Sequence, residues 1–280
     1  MINKERFEEL NNEYNNMLRI NKVSILKAFR IVLIIYVAVM ALLYLFINVN
    51  QLFLIIGIST GAIIVIIFLI SYNYISEKPL FTFIIDNIIK DMDSSLSNRP
   101  YPKDLRHINV EGGLFPSGCS ITVKGVITDK DNNTIQLNTR LYTSDGKTTY
   151  QFFYGNYLTI DCGIEHTFQI RSHNKPHLKG IKFRRIEIEN NLSVFVEEQD
   201  VSDYFYEPYL NKIKELRDSL NAKKIYLSVV NNQLHFAYET DNLIKKPKIL
   251  TYETVTEIEE KLRQLITIPN EFKKISMENK

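Results

Sequence analysis

Two cysteines and five histidines are the side chains in this sequence best suited to hold a metal or act as nucleophile and base. Four of them, Cys162, His166, His173 and His177, read C-x3-H followed by H-x3-H. Zinc takes cysteine and histidine ligands in tetrahedral geometry, with paired ligands roughly two to five residues apart, so the cluster passes a spacing test. Pro176 keeps His173 and His177 off a shared helical face, and one cysteine with three histidines is an uncommon structural set. Cys119 lies in the glycine-rich stretch EGGLFPSGCS, where His107 or His166 could serve a thiolate as base. A buried cysteine beside a β-turn is the simpler reading. The stretch lacks the Gly-Lys-Ser/Thr ending of a phosphate loop, and no H-E-x-x-H or dinucleotide fingerprint occurs. Asp91 and Asp93 form D-x-D, but on a helix they point roughly 200° apart and do not converge on a cation. The sequence therefore assigns no catalytic residue and no cofactor, with Cys162, His166, His173 and His177 as the one candidate metal cluster.

Charge says more about place than about chemistry. Lys and Arg number 34 and Asp and Glu 32, a net of +2, which gives no support to a nucleic-acid binder. Residues 1–30 hold Lys4, Arg6, Arg19, Lys22, Lys27 and Arg30 against Glu5, Glu8, Glu9 and Glu13, whereas 31–76 hold no charged residue. Lys175, Lys179, Lys182, Arg184 and Arg185 form the densest basic run elsewhere. Such a run attracts anionic lipid at about 1 kcal/mol per residue near a membrane, or else guards a strand edge. With Arg19, Lys22, Lys27, Arg30 and Lys78 it supplies the candidate lipid-surface contacts. Lys245, Lys246 and Lys248 read as a solvated loop.

The uncharged stretch divides into 31–47 and 52–70, each close to the roughly 20 apolar residues that cross a bilayer. Only four residues separate them, so an antiparallel transmembrane hairpin over 31–72 is expected, because backbone facing lipid must bond internally. A cleaved signal peptide fits poorly, since some thirty polar residues come first. The basic residues before the first span and Lys78 after the second place both termini in the cytoplasm of a two-span plasma-membrane protein. Reduced thiols follow from that compartment. Gly57 and Gly61 let helix backbones approach closely, which the sequence assigns to packing within the hairpin against Ala38 or Ala41. No ionisable group enters either span, which argues against a transporter.

Around the spans, Phe7, Leu10, Tyr14 and Met17 recur at heptad spacing on a helix over 3–18, within a cytosolic segment 1–30, and are expected to dock on the chain's own domain. After Pro79, residues Phe81, Ile84, Ile85, Ile88, Ile89 and Met92 make an apolar helical stripe. The domain over 79–280 then turns to short strands. These are 121–128, 134–143 (with Ile135, Leu137 and Leu141 on one face), 148–154, 167–171, 183–188 and 192–197. A helix opening near Pro208 buries Tyr209, Ile213, Leu216 and Leu220. Strands 224–230 and 234–238 flank an Asn231-Asn232 turn. A last helix over 254–266, capped by Thr254 and Glu257, buries Val255, Ile258, Leu262 and Leu265. The class is α+β: an N-terminal helix and membrane hairpin, then a mostly antiparallel sheet covered by two or three helices.

Phe195, Asp200, Pro208, Leu216, Ile225 and the strand at 234–237 follow one another as strand, short connection, proline-opened helix and β-hairpin. Over 186–242 this arrangement resembles an uncharacterised family of bacterial two-span membrane proteins with a C-terminal cytosolic α+β domain. The resemblance implies the topology and fold and no known activity. The expected function is thus a non-enzymatic membrane-anchored module whose domain binds a protein partner, itself or the lipid surface. The alternatives are a membrane-bound metalloprotein or hydrolase using Cys162, His166, His173 and His177, and a small oligomeric pore or transporter component.

Overall fold

The computed structural model describes residues 2–46, 51–77, 79–99, 111–144, 146–172, 175–188, 191–198, 204–245, 247 and 249–278. It forms two compact units: Met1–Ile84 with Lys246–Thr256, and Ile85–Lys245 with Glu257–Lys280. The architecture is α+β, with a long apolar N-terminal helix and a C-terminal antiparallel sheet accompanied by helices.

In the first unit, helix α1 (Lys4–Phe46) is continuous for 43 residues. The expected 3–18 helix and the first apolar stretch are therefore one rod, since no glycine or proline interrupts the run. Helix α2 (Gln51–Glu77) runs antiparallel to it: Phe29 stacks on Phe68 at 3.9 Å, and the Tyr36 hydroxyl donates to the Gly57 carbonyl. Gly57 and Gly61 face Tyr36 and Met40 rather than Ala38 or Ala41. A Cβ on Gly57 would meet the Met40 methyl, the flexible end of that side chain. By length and composition α1 is able to cross a membrane, with a mean hydropathy of 2.4 over its best window and none of that window buried. The described apolar part of α2, Ser59–Ile70, is shorter. The polar start of α1 docks on its own chain, as expected. Phe7 meets Tyr252 edge-on at 5.7 Å, the Tyr252 hydroxyl donates to the Ile2 carbonyl, and Tyr14 packs on Phe83.

In the second unit every strand pairing is antiparallel. The strands are β1 (Ser97–Arg99), β2 (Ser120–Thr122), β3 (Gly125–Thr128), β4 (Thr134–Ser144), β5 (Thr149–Asp161), β6 (Phe168–Ser172), β7 (Phe183–Glu187), β8 (Leu192–Glu197), β9 (Lys224–Val230) and β10 (Gln233–Glu239). Their order is β1-β3-β4-β5-β10-β9-β6-β8-β7, with β2 also on β4. The β9–β10 hairpin thus inserts between β5 and β6. Its turn is the expected one: Asn231 and Asn232 both take positive φ (50° and 63°), the mirror-image turn that matches strand twist.

Paired residues in an antiparallel sheet share a face. One row reads Ile186, Val194, Ile170, Leu227, Phe236, Leu158, Ile135 and Ile127 across eight strands. Helices α4 (Glu207–Ser219) and α5 (Tyr252–Glu278) pack on this apolar face, through Tyr209 on Phe168 and Phe272 on Phe236. Tyr209, Ile213, Leu216 and Leu220 are buried, as are Val255, Ile258, Leu262 and Leu265. Helix α3 (Pro79–Met92) runs from the first unit into the second, and Phe81, Ile84, Ile85, Ile88 and Ile89 of its stripe are buried, with Met92 half-buried.

Further expectations change. Asn138 (φ 51°) forms a bulge that shifts the β4–β5 register between Gln136 and Thr139. Leu141 therefore joins the opposite face from Ile135, clustering with Leu114, Phe115 and Phe153, and the three apolar residues do not share a side. The helix at 254–266 instead starts at Tyr252 and runs through Pro269 to Glu278. Thr251, not Thr254, caps it, accepting from the Thr254 amide at 3.2 Å. The 121–128 strand is split into β2 and β3.

Candidate functional site

The other face of the sheet carries the unexpected chemistry. Its parallel row reads Glu187, Ser193, Arg171, Tyr226, Ala237, Tyr157 and Gln136, and the next row holds Gln169, Ser228 and His235. Alternation would send these side chains to water, yet Gln169, Ser228, His235 and Tyr157 are fully buried and Arg171 is 1% exposed.

The cover is the glycine-rich stretch 111–118. Arg171 donates to the Gly113 and Leu114 carbonyls (3.3 and 2.8 Å) and to Gln169 Oε1 (2.7 Å). Gln169 Nε2 donates to the Gly112 and Gly113 carbonyls and to Ser228 Oγ. Gly112 lies so close that a Cβ there would sit 2.6 Å from His235 Cγ and 2.8 Å from the Tyr157 hydroxyl. Gly113, at φ 58°, needs the left-handed freedom of glycine, and a Cβ would strike Leu178. Leu114 and Phe115 then fill an aromatic pocket with Phe153, Tyr157 and Tyr226.

Burial sets the electrostatics. It draws the Arg171 guanidinium down to about 10, still charged at neutral pH, while the ring of Tyr226 faces it at 5.6 Å. Burial pushes His235 down to about 4, so it is neutral at pH 7. The Tyr157 hydroxyl lies 3.0 Å from its Nδ1. Its Nε2 and the Arg171 Nε have no hydrogen-bond partner among the described residues. The buried charge is thus spent on main-chain carbonyls, and what it does is seal a loop.

The residues singled out in the sequence do not gather. Cys162 is buried and its thiol donates to the Asn232 carbonyl at 3.4 Å. His166 stacks on Phe205 at 4.3 Å. The amide of His177 donates to the Gly113 carbonyl. Partial desolvation and then the charge of Arg171 hold its imidazole below the ordinary range. His173 and His107 lie outside the described residues. Among the described residues, no three His, Cys, Asp or Glu side chains are placed to hold a metal ion. Cys119 donates to the Pro116 carbonyl, and burial pushes its thiol up, the opposite of an activated nucleophile. Gly57-Ile58-Ser59-Thr60-Gly61 has the letters of a nucleophile elbow, but it lies within α2 where the required strand–turn–helix is missing. Asp91 is exposed, and Asp93 accepts from the Ser95 amide just after α3.

Two clefts remain. One, of about 440 Å³, is lined by His166, Glu165, Phe205, Tyr209 and Ser276, with the Tyr209 hydroxyl donating to Ser276 Oγ at 3.2 Å. The other, of about 450 Å³, lies beside β7 and includes Lys175 and Arg185. Of the candidate lipid contacts, Arg19, Lys27, Arg30, Lys179, Lys182, Arg184 and Arg185 are exposed, Lys22 sits over the Tyr72 ring at 5.8 Å, and Lys78 is outside the described residues. No family model, curated protein or solved structure matches the chain.

Sequence reasoning missed Arg171, Gln169, Tyr157, Ser228 and His235. The one available signal was Leu114-Phe115 inside a glycine-rich loop, an apolar pair that has to be buried against something.

Proposed function

We propose that the chain is a membrane-anchored binding module, with two spans, both termini in the cytoplasm, and a cytosolic sheet domain that recognises a protein partner. The observation that carries the reading is the apolar stretch of α1, whose best window is wholly unburied within the protein. Leaving that much hydrocarbon in water costs about 25 cal/mol per Å², whereas a bilayer removes the cost. The stretch 52–70 returns as the second span beside it, and the resemblance over 186–242 points the same way. Binding rather than catalysis is supported by how the polar groups are used: Arg171 and Gln169 hold main-chain carbonyls, and Cys162 and Cys119 are closed off by local bonds.

Alkaline carbonate extraction of membranes tests the anchor. The full chain should stay in the pellet and a chain lacking 31–72 should leave it; a full chain released by carbonate overturns the reading. Cysteines placed at Asn48 or Asn50 should react with an impermeant thiol reagent on intact cells, while one placed at the exposed Lys214 stays silent until lysis. The reverse pattern inverts the topology.

A further inference from the structure

At the β7 end of the sheet no described strand continues the pairing. The Lys182 carbonyl accepts from the Glu198 amide (3.0 Å) and the Ile188 amide donates to the Leu192 carbonyl (3.1 Å). Antiparallel pairs alternate, so residues 182, 184, 186 and 188 turn their main-chain groups toward β8. The N–H and C=O groups of Phe183, Arg185 and Glu187 then point away from the sheet, and no described strand pairs with them. Alongside lies the 450 Å³ cleft, lined by Leu178, Ile181, Phe183 and Phe195 with Lys175 and Arg185. Lys175, Lys179, Lys182, Arg184 and Arg185 are all exposed, five basic residues against Glu187 on β7, Glu197 at the end of β8 and Glu198 just after it.

We infer that β7 is a docking edge for an extended acidic segment of a partner protein, which adds to the sheet as a further strand. Alternate side chains of such a segment lie over the cleft, where apolar residues fit. The intervening ones lie on the other side of the sheet, beside Lys182 and Arg184, where carboxylates fit. A second copy of this chain is a poor occupant, because it would bring two basic edges together. An anionic lipid surface uses the charge but not the outward amides, and it cannot meet Arg185 on one face of the strand and Arg184 on the other at once.

The inference rests on the binding-module reading and names its partner chemistry. The test uses the full-length protein in phosphatidylcholine nanodiscs and a fluorescein-labelled nonapeptide alternating valine and glutamate, read by anisotropy. The peptide should bind, and a valine–lysine version should not. Reversing Lys182 and Arg184 to Glu should weaken binding by about tenfold or more, from two lost charge contacts. The deciding variant is Glu187→Pro. It removes an outward N–H that the β7–β8 pairing does not use and also removes a negative charge. Strand addition predicts about tenfold weaker binding, whereas charge alone predicts equal or tighter binding. An unchanged thermal midpoint shows that the variant is folded. A peptide N-methylated at alternate residues repeats the comparison with the protein untouched, and it should bind as weakly. Glu187→Pro binding as well as wild type, displacement by phosphatidylserine in the nanodisc with no effect of N-methylation, or no peptide binding at all would each overturn the inference. Carbonate extraction reports on the anchor separately, so a protein that stays in the membrane yet ignores the peptide fails here and not there.

Discussion

Lowering the pH should destabilise the sheet domain chiefly through His235, the more deeply buried and more strongly shifted of its two depressed imidazoles. Its imidazole is fully buried under Gly112, on the same polar face as the Arg171 guanidinium. Burial draws it from the ordinary 6.5 to about 4. The unfolded chain therefore takes up a proton before the folded one, and stability is present in full above pH 6.5. It is lost progressively as the pH falls from 6.5 through about 4. At about 1.4 kcal/mol per pH unit the whole interval is worth roughly 3 kcal/mol. That is a large part of the roughly 5–15 kcal/mol that holds a domain together. The assay is urea unfolding of the full chain in mild detergent, followed by tyrosine fluorescence, at half-unit steps from pH 7.5 to 4. The wild type is compared with His235→Gln. The variant starts less stable, but it lacks the titration, so its profile should be flatter by roughly 2–3 kcal/mol between pH 6.5 and 4.5. Parallel profiles would refute the reasoning, since they would mean that His235 titrates alike in both states and is not closed off from water.

Leu216→Ala should cost about 2–5 kcal/mol through lost contact and a cavity, whereas Arg217→Ala, one residue along the same helix, should stay within about 0.5 kcal/mol. Equal losses in urea unfolding would mean that α4 is rotated. Arg171→Met keeps the apolar stem but leaves the Leu114 carbonyl without its Arg171 donor, at about 1–3 kcal/mol for a buried group, while the Gly113 carbonyl keeps Gln169 and the His177 amide. Limited proteolysis should then cut within 111–118, and an uncut loop would show that Arg171 does not seal it. Gly113→Ala combines a Cβ at φ 58° with a clash against Leu178 and should lower the thermal midpoint by several degrees, while Gly118→Ala, strained at φ 91° but with open space around its Cβ, should lower it less. The opposite ranking would count against the close approach of that segment.

How much of this was legible in the sequence depended on how local each signal is. The Asn231-Asn232 turn, the proline that opens α4 and the period of the α5 stripe are set by neighbours within a few residues, and they read correctly. The polar face did not. Arg171 and Gln169 alternate with Phe168 and Ile170, as in any strand with one wet side. They are buried only because residues 112–114, over fifty positions earlier, lie on top of them. Leu141 changed sides because a single residue, Asn138, takes a left-handed conformation, its amide bound to Asn156 and its side chain to the Ile244 carbonyl. Helix α5 outruns Pro269 because Ile268 and Phe272 are buried on the same stripe, which offsets the roughly 3 kcal/mol that proline costs in a helix. The Cys162, His166, His173 and His177 spacing was too loose a pattern to fix a site, since three of its members are placed by three separate contacts with residues far away in the sequence.

The placing of the β9–β10 hairpin between β5 and β6 also dictates a sequence of events at the ribosome. Strands β1 to β5 can pair as they emerge, and β6 to β8 can pair with one another soon after. The two blocks have no strand in common until residues 224–239 are made. Until then β5, 13 residues long, offers its whole outer edge to any other chain, with Leu158 and Ile160 uncovered beside it. A long unpaired edge is the feature that recruits misassembly. Residues 233–239 are therefore the keystone of synthesis as well as of the sheet. Chains ending before them should depend on chaperones and be degraded, while chains ending just after Glu239 should already hold both halves together.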